Sequence, residues 1–123
     1  MKSLQHFRLE ACGATLVVVP LFTFGRFAEG DLAAEWKEVL AATGGPTVRH
    51  VIIDLGEIPY FGSTLLNWIV QLWNQTKQKG GSLAICNASV IGREVLSTAR
   101  LDIVLPIFDS RSEALASLAT TTA

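Results

Sequence analysis

Two adjacent hydroxyls, Ser63 and Thr64, stand in the stretch DLGEIPYFGSTLLNWIVQLWNQ, Asp54 to Gln75, between a short apolar run and a strongly apolar helical pattern. A serine directly before such a pattern is a common helix N-cap, because its oxygen accepts from the first free backbone N–H groups. The same position suits a second chemistry. Loops that leave the carboxyl ends of parallel strands are where α/β folds place their ligand sites. A helix start also offers free N–H groups and the positive end of the helix dipole. A phosphate on either hydroxyl would be tolerated there. It would add a charge of about −1.5 to −2, enough to change which partner fits. Capping and modification are both compatible with the local sequence.

Hydrolytic chemistry is poorly supported. Ser63, His50 and Asp54 make a triad in letters only. The strand from His50 to Asp54 already spans roughly 13 Å at about 3.3 Å per residue, which leaves His50 outside hydrogen-bond reach of Ser63. Neither GxGxxG nor GxxxxGK[ST] occurs. No pair of histidines and no cluster of carboxylates has metal-ligand spacing. The expectation is a protein with no catalytic residues, no metal site and no cofactor. Cys12 and Cys86 each lie in a strand-like apolar run without a basic neighbour, and read as two buried small hydrophobes in a reducing compartment.

The elements that must position Ser63 follow from periodicity. FRLEACGATLVVVP reads as two strands, about Phe7–Cys12 and Thr15–Val19, joined by a tight turn at Gly13-Ala14. Phe7, Leu9 and Ala11 alternate with Arg8 and Glu10, whereas TLVVV lacks alternation, as in a strand covered on both faces. A helix is expected from Asp31 as N-cap, with Leu32, Trp36, Val39 and Leu40 as its stripe, ending at Gly44-Gly45-Pro46. RHVIIDL is a central parallel strand, Ser63 to about Lys79 a helix closed by Gly80-Gly81, and SLAIC a fourth strand. SVIGREVLSTARL reads as a helix with Val90, Ile91, Val95 and Leu96 on its inner side. IVLPIF reads as a short last strand, and SRSEALASLA as a final helix capped by Ser110 or Ser112, with a frayed tail at about 119–123. The order β-β-α-β-α-β-α-β-α describes an α/β fold. Its sheet is mixed but mostly parallel, with about five strands and an opening hairpin, and about four helices cover it.

Bulk properties narrow the function classes. The chain has 123 residues, which fits one domain, and half of them are hydrophobic. Ten basic and eleven acidic residues give a net charge of −1, without the basic cluster of a nucleic-acid binder. No run of eighteen apolar residues suggests a membrane span, and MKSLQHFRLEACG is too polar for a signal peptide, so a cytosolic protein is expected.

Two aromatic groups invite a docking reading. In the helix after Ser63, Leu65, Leu66, Trp68, Ile69, Val70, Leu72 and Trp73 sweep more than half the circumference, opposite uncharged Asn and Gln residues. Trp73 reads as core. Trp68, at the stripe's edge, is either core or a partly exposed anchor for a partner. Phe22, Phe24 and Phe27 lie in LFTFGRF, where they either close one end of the core or form a sticky patch.

VIIDL, FGSTLL, KQKGGSLAIC and LDIVLPIFDSRSEAL together, from Val48 to Leu118, resemble the STAS domain family of bacterial anti-sigma factor antagonists. The resemblance implies a STAS-like fold and partner switching in transcription regulation. The unmodified protein binds an anti-sigma factor, often a serine kinase, and phosphorylation breaks that complex. By position the phosphoacceptor would be Ser63, with Thr64 beside it. Gly62, Ser63, Thr64, Leu65, Trp68, Phe24 and Phe27 would form the partner-binding end. Where the family motif has an acidic residue this chain has Gly62, and where it has glycine this chain has Leu65. The family's Gly-Glu-Leu-Asp after the second strand is replaced by PLFTFGRFAEGD. Two alternatives stand beside this reading. One is a STAS scaffold or assembly subunit without phosphorylation. The other is an accessory domain that handles a small molecule or lipid near Phe22, Phe24 and Phe27.

Overall fold

Alternating strand and helix patterns build a five-stranded sheet in the order β1-β2-β3-β4-β5. The computed structural model of the protein describes residues 6–21 and 29–121, with side chains at 6–21 and 33–118. The strands are β1 (Phe7–Cys12), β2 (Thr15–Pro20), β3 (His50–Asp54), β4 (Ser82–Cys86) and β5 (Ile107–Phe108). The helices are α1 (Glu29–Thr43), α2 (Ser63–Gln78), α3 (Val90–Thr98), the single turn α4 (Leu101–Val104) and α5 (Arg111–Thr121). β1 and β2 form the antiparallel hairpin, and β2, β3, β4 and β5 are parallel, so the mixed sheet with its opening hairpin is as the sequence predicts.

Side-chain alternation along the strands divides the core in two. Val18, Val51, Ile53, Leu83 and Ile85 face Leu65, Ile69 and Leu72 of α2, Trp36 and Val39 of α1, and Leu96 of α3. Val17, Val19, Ile52, Ala84 and Cys86 face Ala114 and Leu118 of α5 on the other side. β2 and β3 are buried along their whole length, as their unbroken apolar runs demand. Full burial of Leu65, Ile69 and Leu72 contributes about 1.5–3 kcal/mol each and sets the rotation of α2 about its axis.

Helix ends are closed by their own chemistry. α2 stops in a Schellman motif: Gly81 N–H donates to the Thr76 carbonyl at 2.9 Å and Gly80 N–H to Lys77 at 3.0 Å, with Gly80 at φ +79°. Lys79 Nζ then donates to the carbonyls of Thr43, Gly45 and Val48, at 3.1, 2.6 and 2.6 Å, and so finishes the carboxyl end of α1.

Several expectations are corrected. α1 begins at Glu29, so Asp31 lies within its first turn and is not the cap. The LDIVLPIF segment is a helical turn followed by a two-residue strand. Leu101 and Leu105, four apart, are the buried pair and Ile103 is 75% exposed, so the apolar run obeys the helical period. Pro106 lacks an N–H and delays pairing, although its carbonyl accepts from Ile85 N–H at 3.0 Å. On α3 the buried line is Gly92 and Leu96, while Val90 and Ile91 are exposed. Cys12 is exposed and only Cys86 is buried. Trp73 is half-buried beneath the Lys77 ammonium, 4.3 Å from its ring. The final helix is capped by Ser110, whose hydroxyl accepts from Glu113 N–H at 3.2 Å, and it runs to Thr121.

Candidate functional site

The loop between β3 and α2 is held from below at three points. Leu55, Ile58 and Phe61 are each at most 2% exposed, so the chain dips into the core at every third residue. Between these pins Glu57, Pro59 and Tyr60 are exposed. Leu55 N–H donates to the Cys86 carbonyl at 3.0 Å, which extends the β3–β4 ladder into the loop. Ser89 caps α3 by accepting from Gly92 N–H at 3.0 Å and donates its own proton to the Pro59 carbonyl at 2.6 Å. Gly92 packs closely beneath this loop, where a Cβ would lie 3.1 Å from the Phe61 ring.

Ser63 and Thr64 emerge from this anchored loop as the first two residues of α2, and both are exposed. Ser63 is not the N-cap. That position belongs to Gly62, in extended backbone and without a side chain to accept a hydrogen bond. The Gly62 carbonyl accepts from Leu66 N–H at 3.3 Å. The first turn holds no acidic residue, so the positive end of the helix is not offset by a local carboxylate. Space around Gly62 is open, with nothing within 4 Å of a Cβ built there, so the missing acidic side chain is not excluded by packing.

Of the other residues expected at this end, Leu65 points inward at 2% exposure and belongs to the core, which corrects its placement on a partner-facing surface. Helical geometry requires this, because Leu65, Ile69, Leu72 and Thr76 form one inward line. Trp68 is half-buried. Its ring stacks on Trp36 at 4.9 Å and 7° and lies 6.1 Å from Phe7. Trp36 donates its indole N–H to Gln71 at 2.8 Å. The three rings close the core between β1, α1 and α2. Phe22, Phe24 and Phe27 lie outside the described residues.

A charged network that no local motif marks underlies the same end. Asp54, 6% exposed, accepts from Gly56 N–H at 2.9 Å and Asn87 Nδ2 at 3.1 Å through one oxygen. Its other oxygen accepts from Arg111 Nε at 3.1 Å and a terminal guanidinium nitrogen at 2.9 Å. Arg111, the first residue of α5, also donates to Glu10 at 2.7 Å, and Arg8 donates to Glu10 at 2.8 Å. The hydrogen bonds from Arg111 and then Arg8 hold the Glu10 carboxyl below its usual range. The hydrogen bonds to Glu10 and then to Asp54 raise the Arg111 pKa in turn. Burial, reinforced by Asp54, pushes the Cys86 thiol up to about 12, so it stays a neutral packing group. Arg111 lies 57 residues from Asp54 and 101 from Glu10, so no local motif could have signalled the cluster.

Ser63, His50 and Asp54 are not brought together. His50 starts β3, where its Nδ1 accepts from Ser82 N–H at 3.2 Å, and the Asp54 carboxylate is engaged by α5 on the sheet face opposite α2. Among the described residues no group of three or more His, Cys, Asp or Glu could hold a metal, and no helix is long and apolar enough to cross a membrane.

A parallel-stranded sheet with a leading hairpin, which exposes hydroxyls where a central strand passes into a helix, defines a class of small α/β domain. The STAS domain family model matches residues 26–114, and the chain belongs to that family. A protein of Bordetella bronchiseptica that bears the name anti-sigma factor antagonist BtrV is 30% identical over 88 residues, covering 72% of this chain and 76% of its own. The solved anti-sigma-factor antagonist (STAS) domain protein of Planctomyces limnophilus superposes with a TM-score of 0.78 at 30% identity, covering 92% of this chain and 97% of that one. The unphosphorylated form of the anti-sigma factor antagonist SpoIIAA, from Bacillus, shares the fold at a TM-score of 0.76 and 16% identity, covering 95% and 99% of the two chains.

Proposed function

We propose that the protein is an anti-sigma factor antagonist that binds an anti-sigma factor through the surface around Ser63 and Thr64, and that phosphorylation of Ser63 ends that binding. The observation that carries this reading is the exposure of both hydroxyls at the first turn of α2, on a loop pinned by Leu55, Ile58 and Phe61. A rigid platform presents the acceptor without first having to order it. The helix start, lacking an acidic residue, stabilises an added phosphate dianion. The same dianion placed inside a protein interface costs desolvation and repels acidic groups of the partner. On this reading the protein acts in the cytosol as a regulator of transcription through protein contacts, and Thr64 is the secondary acceptor.

The test is incubation with the host's anti-sigma serine kinase and ATP, followed by intact mass and peptide mapping. One phosphate on Ser63 is expected, absent in Ser63→Ala, and the Ser63→Asp protein should bind the anti-sigma factor at least about tenfold more weakly than wild type. An unmodified chain beside a control substrate that the same kinase does modify would sink the phosphorylation step. Gly62 and Leu65 favour a second reading, a STAS assembly subunit without phosphorylation, because the acidic residue and the glycine beside the acceptor are both gone. That reading predicts equal binding by wild type and Ser63→Asp.

A further inference from the structure

The two edges of the sheet differ. β5 forms one, and its two residues are too few to template a further strand. β1 forms the other with six residues, in unbroken register with β2. The devices that usually blunt an edge are missing from β1, which holds no proline, no lysine and no bulge. Its backbone phase follows from one bond. Leu21 N–H donates to the His6 carbonyl at 2.8 Å, so these two residues are a hydrogen-bonded pair of the hairpin. Such pairs alternate along an antiparallel ladder. Arg8, Glu10 and Cys12 therefore bond to β2, while Leu9 and Ala11 turn their N–H and C=O away from it. Pro20, which has no N–H, stands opposite Phe7, as that phase requires. Among the described residues no hydrogen bond reaches the outward groups of Leu9 or Ala11.

The side chains then select the occupant. An antiparallel strand that pairs through Leu9 and Ala11 leaves Arg8 and Glu10 at non-hydrogen-bonded positions, where facing side chains lie closest. Both charged side chains are within reach, at 48% and 39% exposure. If the strand is β1 of a second copy and the two-fold axis falls at Leu9, Arg8 of each copy faces Glu10 of the other. Leu9 then meets Leu9 on the face of the main core. With the axis one residue to either side, Arg8 faces Arg8 or Glu10 faces Glu10, and like charges directly opposite are destabilising. The edge is complementary to itself, and its charges single out one register. Within each copy Arg8 already donates to Glu10 at 2.8 Å, so pairing closes a square of four alternating charges.

We infer that β1 pairs antiparallel with β1 of a second copy of the chain about an axis at Leu9, joining the two five-stranded sheets into one. The inference does not depend on the function proposed above. The helix that carries Ser63 follows β3, two strands inward from this edge.

The experiment is sedimentation of the full chain from micromolar to millimolar concentration. The wild type should dimerise, and less tightly at high salt. Ala11→Pro deletes an outward N–H and spares the β2 ladder, so it should keep the fold by circular dichroism. It should weaken the dimer by about tenfold or more, and so should Arg8→Glu and Glu10→Arg, which set like charges opposite each other. An equimolar mixture of the two charge variants should recover dimerisation as a heterodimer, because each carries the charges that the other lacks. Glu10→Arg also loses the bond to Arg111, and if it does not fold, Ala11→Pro and Arg8→Glu decide the question. A monomeric wild type would overturn the inference. So would a dimer that Ala11→Pro and Arg8→Glu leave intact, or a mixture of folded charge variants that stays monomeric.

Discussion

Asp54 shows how much one side chain can organise without taking part in chemistry. Its two oxygens accept from the loop amide of Gly56, from Asn87 after β4 and from Arg111 at the start of α5, so three segments meet at a carboxylate that is nearly buried. The sequence marks Asp54 as a strand end and a letter in a false triad. Its partners are found only when the chain is folded, because Asn87 and Arg111 are 33 and 57 residues away. Asp54→Ala strands the Arg111 guanidinium on its exposed contact with Glu10 and leaves two donors unmet. We expect a loss of about 2–4 kcal/mol in urea unfolding, with a smaller loss for Asp54→Asn, which keeps the oxygen that Gly56 and Asn87 use. Ser63 illustrates the converse. Its identity and its place at a helix start are legible from sequence, but a cap and a first helical residue differ by one position, and backbone geometry alone gives the cap to Gly62.

At the scale of elements, α2 was readable because its signals agree: an apolar pattern of helical period, no internal Gly or Pro, and Gly80-Gly81 as the stop. The two glycines stop it for different reasons. Gly80 supplies a left-handed φ of +79°, whereas Gly81 supplies space, since a Cβ there would sit 1.7 Å from the Arg49 carbonyl oxygen at the approach to β3. Gly81→Ala must push β3 and β4 apart at their first pair, His50 with Ser82. We expect a loss of about 3 kcal/mol by chemical denaturation, against about 1–2 kcal/mol for Gly80→Ala. The LDIVLPIF segment is ambiguous in sequence because the short apolar run Ile103-Val104-Leu105 fits a buried strand as well as a helical turn. Arg100, at φ 62°, breaks α3 and starts the new turn, a conformation no pattern of hydrophobicity encodes.

At the scale of the molecule, the pH dependence of stability sums the sites whose protonation folding shifts. His50 is 5% exposed, with its Nδ1 accepting from Ser82 and its Nε2 without a hydrogen-bond partner among the described residues. Burial, aided by Arg49, holds its pKa below the usual 6.5. The unfolded chain therefore takes up this proton first as pH falls, and the stability present above about pH 6.5 declines below it. Glu10, held below its usual 4.5 by Arg111 and Arg8, adds a second decline at lower pH by the same sign. Melting temperature should be level from pH 7 to 8 and fall in two stages on acidification. His50→Gln should remove the upper stage, and an unchanged profile in that variant would show that the acid sensitivity lies elsewhere. By itself the sequence determined the order of the five strands and of every helix but the turn α4, the two-sided burial of the central strands and the position of the hydroxyl pair, because each of these is written in local periodicity and turn chemistry. Only the tertiary structure decided that Leu65 turns inward while Ser63 and Thr64 face out, that Trp68 is spent on Trp36 and Phe7, and that Asp54 belongs to Arg111. These are outcomes of packing between segments far apart in the chain, and a one-residue rotation of a helix or one distant cation is enough to change them.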